Sequence, residues 1–254
     1  MLERDDLEVY GVPVAVLRIA HGPVNAMDLE LCRALAERFR GLAADPARAV
    51  VVTGSDRAFS AGVDLKRCTA GGEQYVAHFL PALADMFRAA FELPKPLVAA
   101  VNGHAIAGGC VLAACADVVL MAEGNAQIGV PELRVGVPFP RIALEVLGVA
   151  VGERGAHELV MGAQTYRADQ ARGLGLVHEV VPAGELGSRA AAAAAGMARD
   201  VPPDTFAITK RQLRRAALER TDRYADEDEP VAQLWKRHIA DGWVARYLES
   251  ITGR

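Results

Sequence analysis

Two short stretches combine glycine with small side chains in a way that could make the backbone itself a reagent. "HAIAGGC", His104 to Cys110, and "AFSAGVDL", Ala58 to Leu65, each place such residues just ahead of a point where a helix could begin. The first N–H groups of a helix have no acceptor within it, so they project outward and favour negative charge. Two such amides converging on one point would hold a developing oxyanion, a stabilisation worth about 2.7–4 kcal/mol per donor where it has been measured. The same letters also suit ordinary strand-to-helix turns, in which glycine lets a helix approach a sheet closely. From His104 to Asp117 almost no side chain could move a proton, so chemistry there would belong to the main chain.

Strands and helices must present these turns. "EVYGVPVAVLRIA" reads as a strand pair broken at Gly11 to Pro13, and "HGPVNAMD" as a turn cluster that hands over to a helix. Leu31, Leu35, Phe39 and Leu42 recur at helical spacing behind Asp28, a candidate N-cap. "RAVVVTG" reads as a buried strand, "SDRAFSAGVDLKR" as a loop, and the stretch from Glu73 to Phe91 as a helix that stops before "LPKP". "LVAAVNG", "DVVLMAE" and "GLVHEVV" supply three further strands with helical segments among them, an alternation that predicts α/β architecture with parallel strands. After Ala190 the strand signal ends, and the expectation is a core over residues 1–190 with a helical C-terminal region over 191–254.

Bulk properties narrow the function. The chain has 254 residues, 52% of them hydrophobic, enough for a substantial core. A net charge of -4 gives no electrostatic case for nucleic acid as the main partner. Neither a basic leader followed by an apolar run nor a stretch of about 20 apolar residues occurs, so the expectation is a cytoplasmic protein that leaves membranes alone. Cys32, Cys68, Cys110 and Cys115 are too scattered for a disulfide framework or a zinc site and read as small core residues; no metal is expected.

"FSAGVDL", "NGHAIAGGC" and "AQIGVPELRVG", in this order, resemble the signature segments of the enoyl-CoA hydratase/isomerase superfamily, also called the crotonase superfamily. The resemblance runs from "HGPVNAMD" to the helical tail. It implies a crotonase-like spiral of ββα units, with C-terminal helices that assemble trimers, often paired into hexamers. It also implies an acyl-CoA thioester as substrate, with coenzyme A entering only as part of it and no separate cofactor. The thioester oxygen would lie between the backbone amides of Val63 and Gly108. Ala61, Asp64, Leu65 and Lys66, together with the turn of Val24, Asn25 and Ala26, would lie along the coenzyme A moiety. Lys66 reads equally well as a solvated surface lysine, and Lys210 as a weak phosphate candidate or a charge on a helix face.

Hydratases of this family hold and activate water with two glutamates. By the resemblance, Val111 stands at the position of the first and Glu132 at that of the second. One carboxylate can remove a proton from C2 of a 3-enoyl thioester and return it at C4, the Δ3,Δ2-enoyl-CoA isomerase reaction. Such a shuttle works best when burial lifts the carboxyl pKa from ~4.3 towards neutrality, and Val111 would keep out competing water. "VPFPR" in place of the glycine-rich loop common in hydratases leans the same way, and Phe139 within it joins the Arg67 to Tyr75 segment as a candidate limit on the acyl chain. Two alternatives stand beside the isomerase. One is a hydratase or other lyase, for which Glu145 is the next acid in sequence; the other is an acyl-CoA-binding relative without turnover.

Overall fold

The computed structural model describes residues 1–252. It opens with a hairpin of β1 (Leu2–Val9) and β2 (Val12–Ile19), turned by Tyr10 and Gly11 at φ of 55° and 74°. Positive φ at both central positions matches the twist of the flanking strands, and Pro13 already lies within β2. Helix α1 (Leu29–Ala43) starts as expected at Asp28, whose Oδ1 accepts from the Leu31 N–H at 2.8 Å.

A strand–strand–helix unit then recurs. The first copy is β3 (Ala49–Thr53), β4 (Ala58–Ser60) and α2 (Leu65–Phe91). The second is β5 (Leu97–Val101), β6 (His104–Ile106) and α3 (Gly108–Ala114), and the third β7 (Val118–Ala122), β8 (Gln127–Gly129) and α4 (Glu132–Val135). The leading strand of every copy enters one sheet and the trailing strand another. α5 (Arg141–Gly162), β9 (Thr165–Arg167), α6 (Ala168–Gly173) and β10 (Glu179–Val181) follow. The large sheet has the order β1-β2-β3-β5-β7-β10 and the small one β4-β6-β8-β9, parallel except for β1 with β2 and β8 with β9. This is the expected spiral of ββα units. A Cβ on Gly54 would lie 2.1 Å from Ala58 O, and one on Gly103 2.1 Å from Arg57 O, so both corners between leading and trailing strands require glycine.

The large sheet is covered on both faces, which is why β3 and β5 read as unbroken apolar runs. One face carries the main core with Leu35, Phe39, Phe79 and Phe87. The other is sealed by α7 (Leu186–Arg199), whose alanines Ala190, Ala194, Ala195 and Ala198 meet Val51, Val98 and Leu120. The division expected at residue 190 falls inside this helix. α8 (Pro203–Arg223), α9 (Asp228–Ala240) and α10 (Trp243–Thr252) complete the described chain, with α9 and α10 packed on α2. No helix among the described residues is long and apolar enough to cross a membrane.

Several expectations need correction. The small sheet went unread because its strands are three residues long, too short for any periodicity. Helix α2 begins at Leu65 rather than near Glu73, bending at Gly72 where φ is 61°. The helical C-terminal region is broken at Asp241 and Gly242, between α9 and α10. Lys210 is neither a solvated charge nor free for phosphate: its Nζ donates to Asp117 Oδ2 at 2.7 Å and to Lys95 O at 2.8 Å beneath α8.

Candidate active site

The adjacent parallel strands β4, β6 and β8 end side by side, and the chain leaving each C-terminal end supplies one part of the site. After β4 comes Val63, after β6 Gly108, and after β8 Glu132. Ligands in parallel α/β sheets gather outside the carboxyl ends of strands for this reason: successive crossovers deliver loops to one place.

Val63 and Gly108 each follow a residue in the left-handed region, Gly62 at φ 81° and Ala107 at φ 53°. Around Val63 the flanking groups are consumed: Met27 N–H donates to Gly62 O at 2.7 Å and Asp64 N–H to Met27 O at 2.9 Å. Around Gly108, Ala107 N–H donates to Gly129 O at 2.8 Å and Ala107 O accepts from Val111 N–H at 3.1 Å. The Val63 and Gly108 N–H groups themselves have no acceptor among the described residues, and both residues line one cleft. The segments touch, since a Cβ on Gly62 would stand 3.2 Å from Gly108 N. Two amides without acceptors, on residues that line one apolar space, have the composition that an anion site made of backbone requires.

Glu132 opens the single turn of α4 and is 8% exposed. Its Oε2 is buried with no hydrogen-bond partner among the described residues. Desolvation raises its pKa to about 8, and a hydrogen bond from its own backbone N–H offsets only part of the lost hydration of the charge. Glu132 is therefore not the glutamate of a solvated turn. Cys110, fully buried beside it, has its thiol pKa pushed up by the same desolvation and then by the Glu132 charge, so it stays neutral.

The cleft encloses about 700 Å³ counted to its open mouth. Glu132, Val63, Gly108, Ala61, Leu65, Val111 and Phe139 all line it, so seven positions expected from sequence meet in one space. Val111 and Phe139 are buried, placing apolar surface beside the carboxyl group. The remaining expected positions lie outside the lining. Asn25 is buried and its side chain serves the protein itself: Oδ1 accepts from His21 N–H at 2.8 Å and Nδ2 donates to Ala58 O at 2.9 Å. Asp64 Oδ1 caps α2 by accepting from the Arg67 N–H at 2.9 Å. Val24, whose carbonyl accepts from Ala61 N–H at 3.0 Å, is exposed, as is Lys66, and Ala26 is half-buried.

Glu145, the alternative acid, is absent from the cleft lining. Its carboxylate is gripped by Arg141 Nη2 at 2.5 Å and by Arg220 Nη2 at 2.6 Å, which hold it ionised below its ordinary pKa despite burial. Sequence reasoning missed Leu83, Phe87 and Ile106, and above all Trp235 and Tyr247 from the last two helices. The apolar face of α2 was visible as helical periodicity; nothing local tied Trp235 or Tyr247 to a loop some hundred residues earlier.

Comparison with known proteins identifies a family and a shared fold. A family profile described as enoyl-CoA hydratase/isomerase matches residues 12–249. A Thermus thermophilus protein named "Putative enoyl-CoA hydratase" is 38% identical over 194 residues, 74% of this chain and 75% of its own length. Human mitochondrial enoyl-CoA delta isomerase 1 is 29% identical over 246 residues, 95% of this chain and 81% of its own. The crystal structure of human mitochondrial Δ3-Δ2-enoyl-CoA isomerase superposes with a TM-score of 0.87 at 25% identity, covering 98% of each chain.

Proposed function

Because the chain belongs to the enoyl-CoA hydratase/isomerase family, we propose that it is a Δ3,Δ2-enoyl-CoA isomerase. The observation that carries this reading is a lone carboxyl group with a buried, unpartnered oxygen in an apolar cleft: Glu132 is the one carboxylate lining it among the described residues, and Val111 also lines it. In the reaction the thioester oxygen of a 3-enoyl-CoA accepts from the Val63 and Gly108 N–H groups. The Glu132 carboxylate takes a proton from C2, and the electron pair spreads through the double bond onto the oxygen as a dienolate. The resulting Glu132 carboxylic acid returns that proton at C4, leaving the conjugated 2-enoyl-CoA and a regenerated carboxylate. A pKa near 8 suits both halves, since the base is strong and its conjugate acid still donates near neutrality.

Coenzyme A would run past Val24, Ala26 and Lys66 at the rim, with the acyl chain directed towards Phe139. Trimers, alone or paired, are the assembly proposed with this reading. Hydration is the second reading, favoured by the name of the Thermus thermophilus relative; it requires a second group to hold water opposite Glu132. Purified protein given a 3-hexenoyl-CoA is expected to generate the absorbance of a conjugated thioester, and Glu132→Gln to abolish it while coenzyme A thioesters still bind. Turnover unchanged in that variant overturns the single-base reading, and hydration of crotonyl-CoA outpacing isomerisation replaces it with the second.

A further inference from the structure

Helix α4, which carries Glu132, is a single turn of four residues, and an isolated turn has no stability of its own. Its far end is tied back to its start: the Gly136 and Val137 N–H groups donate to Glu132 O at 3.0 and 3.1 Å. The next carbonyls point the other way, into α9. Trp235 Nε1 donates to Pro138 O at 3.0 Å and His238 Nδ1 bonds to Gly136 O at 2.5 Å. Trp235 and His238 are three residues apart, on one face of α9, so their two ring nitrogens grip two carbonyls of one short segment.

The grip is close-fitting. Gly136 has φ of 85°, and a Cβ there would stand 2.3 Å from Trp243 Nε1 and 3.2 Å from His238 Nδ1. The Trp243 ring lies against the His238 imidazole with centroids 5.8 Å apart, so α10 closes behind the clamp. α9 itself rests on α2, a wall of the cleft.

We propose that Trp235 and His238 are positioning residues for Glu132: through Gly136 and Pro138 they hold the α4 turn so that its carboxyl group stays in the dry cleft. This rests on Glu132 being the reacting group in the proposed reaction. Neither ring nitrogen touches substrate; both act through the backbone that follows the acid. Loosening the turn would let water reach Oε2, and the proton affinity gained by burial would fall. The titratable groups coupled to the Glu132 charge from the packed elements are Cys110 of α3 and Tyr247 of α10, which neither substitution below alters; His238 of α9 is itself titratable, and Trp235→Phe tests the clamp without changing it.

The test reads Glu132 directly, by carbon-13 NMR of glutamate-labelled protein, with Glu132→Gln identifying its carboxyl resonance. Two variants each remove one donor: His238→Ala, and Trp235→Phe, which keeps an aromatic ring on Trp235's site. In each, the Glu132 midpoint is expected to fall by about one pH unit or more from its native value near 8. For His238→Ala, which leaves the cleft lining intact, kcat on a 3-enoyl-CoA is expected to drop about tenfold with KM changed less than about twofold, the pattern of a misplaced reacting group. His238→Asn, whose Nδ2 reproduces the Nδ1 donor, restores both. If Glu132 titrates as in the native protein in the folded variants, the clamp is overturned, and Trp235→Phe decides alone should His238→Ala fail to fold. Because the titration needs no turnover, failure of the isomerase reading leaves it interpretable.

Discussion

Glu132 and Asp117 are carboxyl groups carried into the interior by the same spiral, one following β8 and the other preceding β7, and their surroundings differ in every respect that matters chemically. Asp117 accepts from Lys210 Nζ, Arg214 Nη2 and the Leu97 N–H, all within 2.8 Å, and so fastens α8 to the start of β5. Glu132 has a buried oxygen with no partner and an apolar neighbour in Val111. A saturated carboxylate has no reason to take a proton; an unsatisfied one gains by taking it. The contrast separates a fastening from a candidate base.

The largest expected effect is on turnover. Glu132→Gln removes the shuttle and is expected to lower kcat by 10²–10⁴-fold, the usual range for a positioned base. Asp117→Asn is expected to leave the kcat of folded protein near native. In the unaltered protein kcat/KM is expected to climb about tenfold per pH unit below about pH 8 and to level above it, since only the ionised Glu132 accepts the C2 proton. A flat profile from pH 6 to 9 in stopped assays would remove Glu132 from the base role.

Stability should reverse the order of the two sites. Asp117→Ala leaves Arg214 buried without its counter-charge and strips Lys210, whose pKa burial already lowers to about 8, of the partner that favours its charge; it is expected to cost about 3–5 kcal/mol in denaturant titration. Glu132→Gln is expected to stabilise. Folded Glu132 binds its proton up to about pH 8 while the unfolded chain releases it near 4.5, so the native protein loses stability as pH rises across that window. Each pH unit in the window is worth about 1.4 kcal/mol at most. The advantage of the Gln variant should thus be small at pH 4, grow to about pH 8 and then stay constant. A constant difference over the whole range would mean that Glu132 is not desolvated.

Legibility followed the same division. Val63, Gly108 and Glu132 were assigned by resemblance, which could reach them because each sits in a contiguous motif beside a strand end, where local sequence encodes a strand-to-helix turn. The ββα repeat was half readable: the leading strands are five-residue apolar runs, whereas trailing strands such as His104–Ile106 gain their identity only by pairing with β4 and β8. Lys210 looked like a helix-face charge because its partner Asp117 lies 93 residues away. Trp235 and Tyr247 are the same problem at the cleft, walls contributed by helices whose sequence says only that they are amphipathic. Resemblance carried a coenzyme A contact onto Asn25 without foretelling the structural task of its side chain, which accepts from His21 N–H and donates to Ala58 O.

The smallest expected effect concerns Ala107, where both halves of the comparison meet in one residue. Its φ of 53° and ψ of -123° belong to a region that suits glycine, and an alanine held there stores on the order of 1 kcal/mol or more. The strained turn is held at both ends: Ala107 donates its N–H to Gly129 O and accepts at its carbonyl from Val111, and the next residue, Gly108, lines the cleft. Ala107→Gly relieves the strain but widens the choices open to the unfolded chain, so a net gain of about 1 kcal/mol or less is expected. If the rigid turn aims the Gly108 amide, kcat should fall a few-fold although the protein is more stable, with KM little changed. Stability and kcat rising together would mean that the aim comes from α3 and the close contact with Gly62, and that Ala107 merely tolerates its conformation.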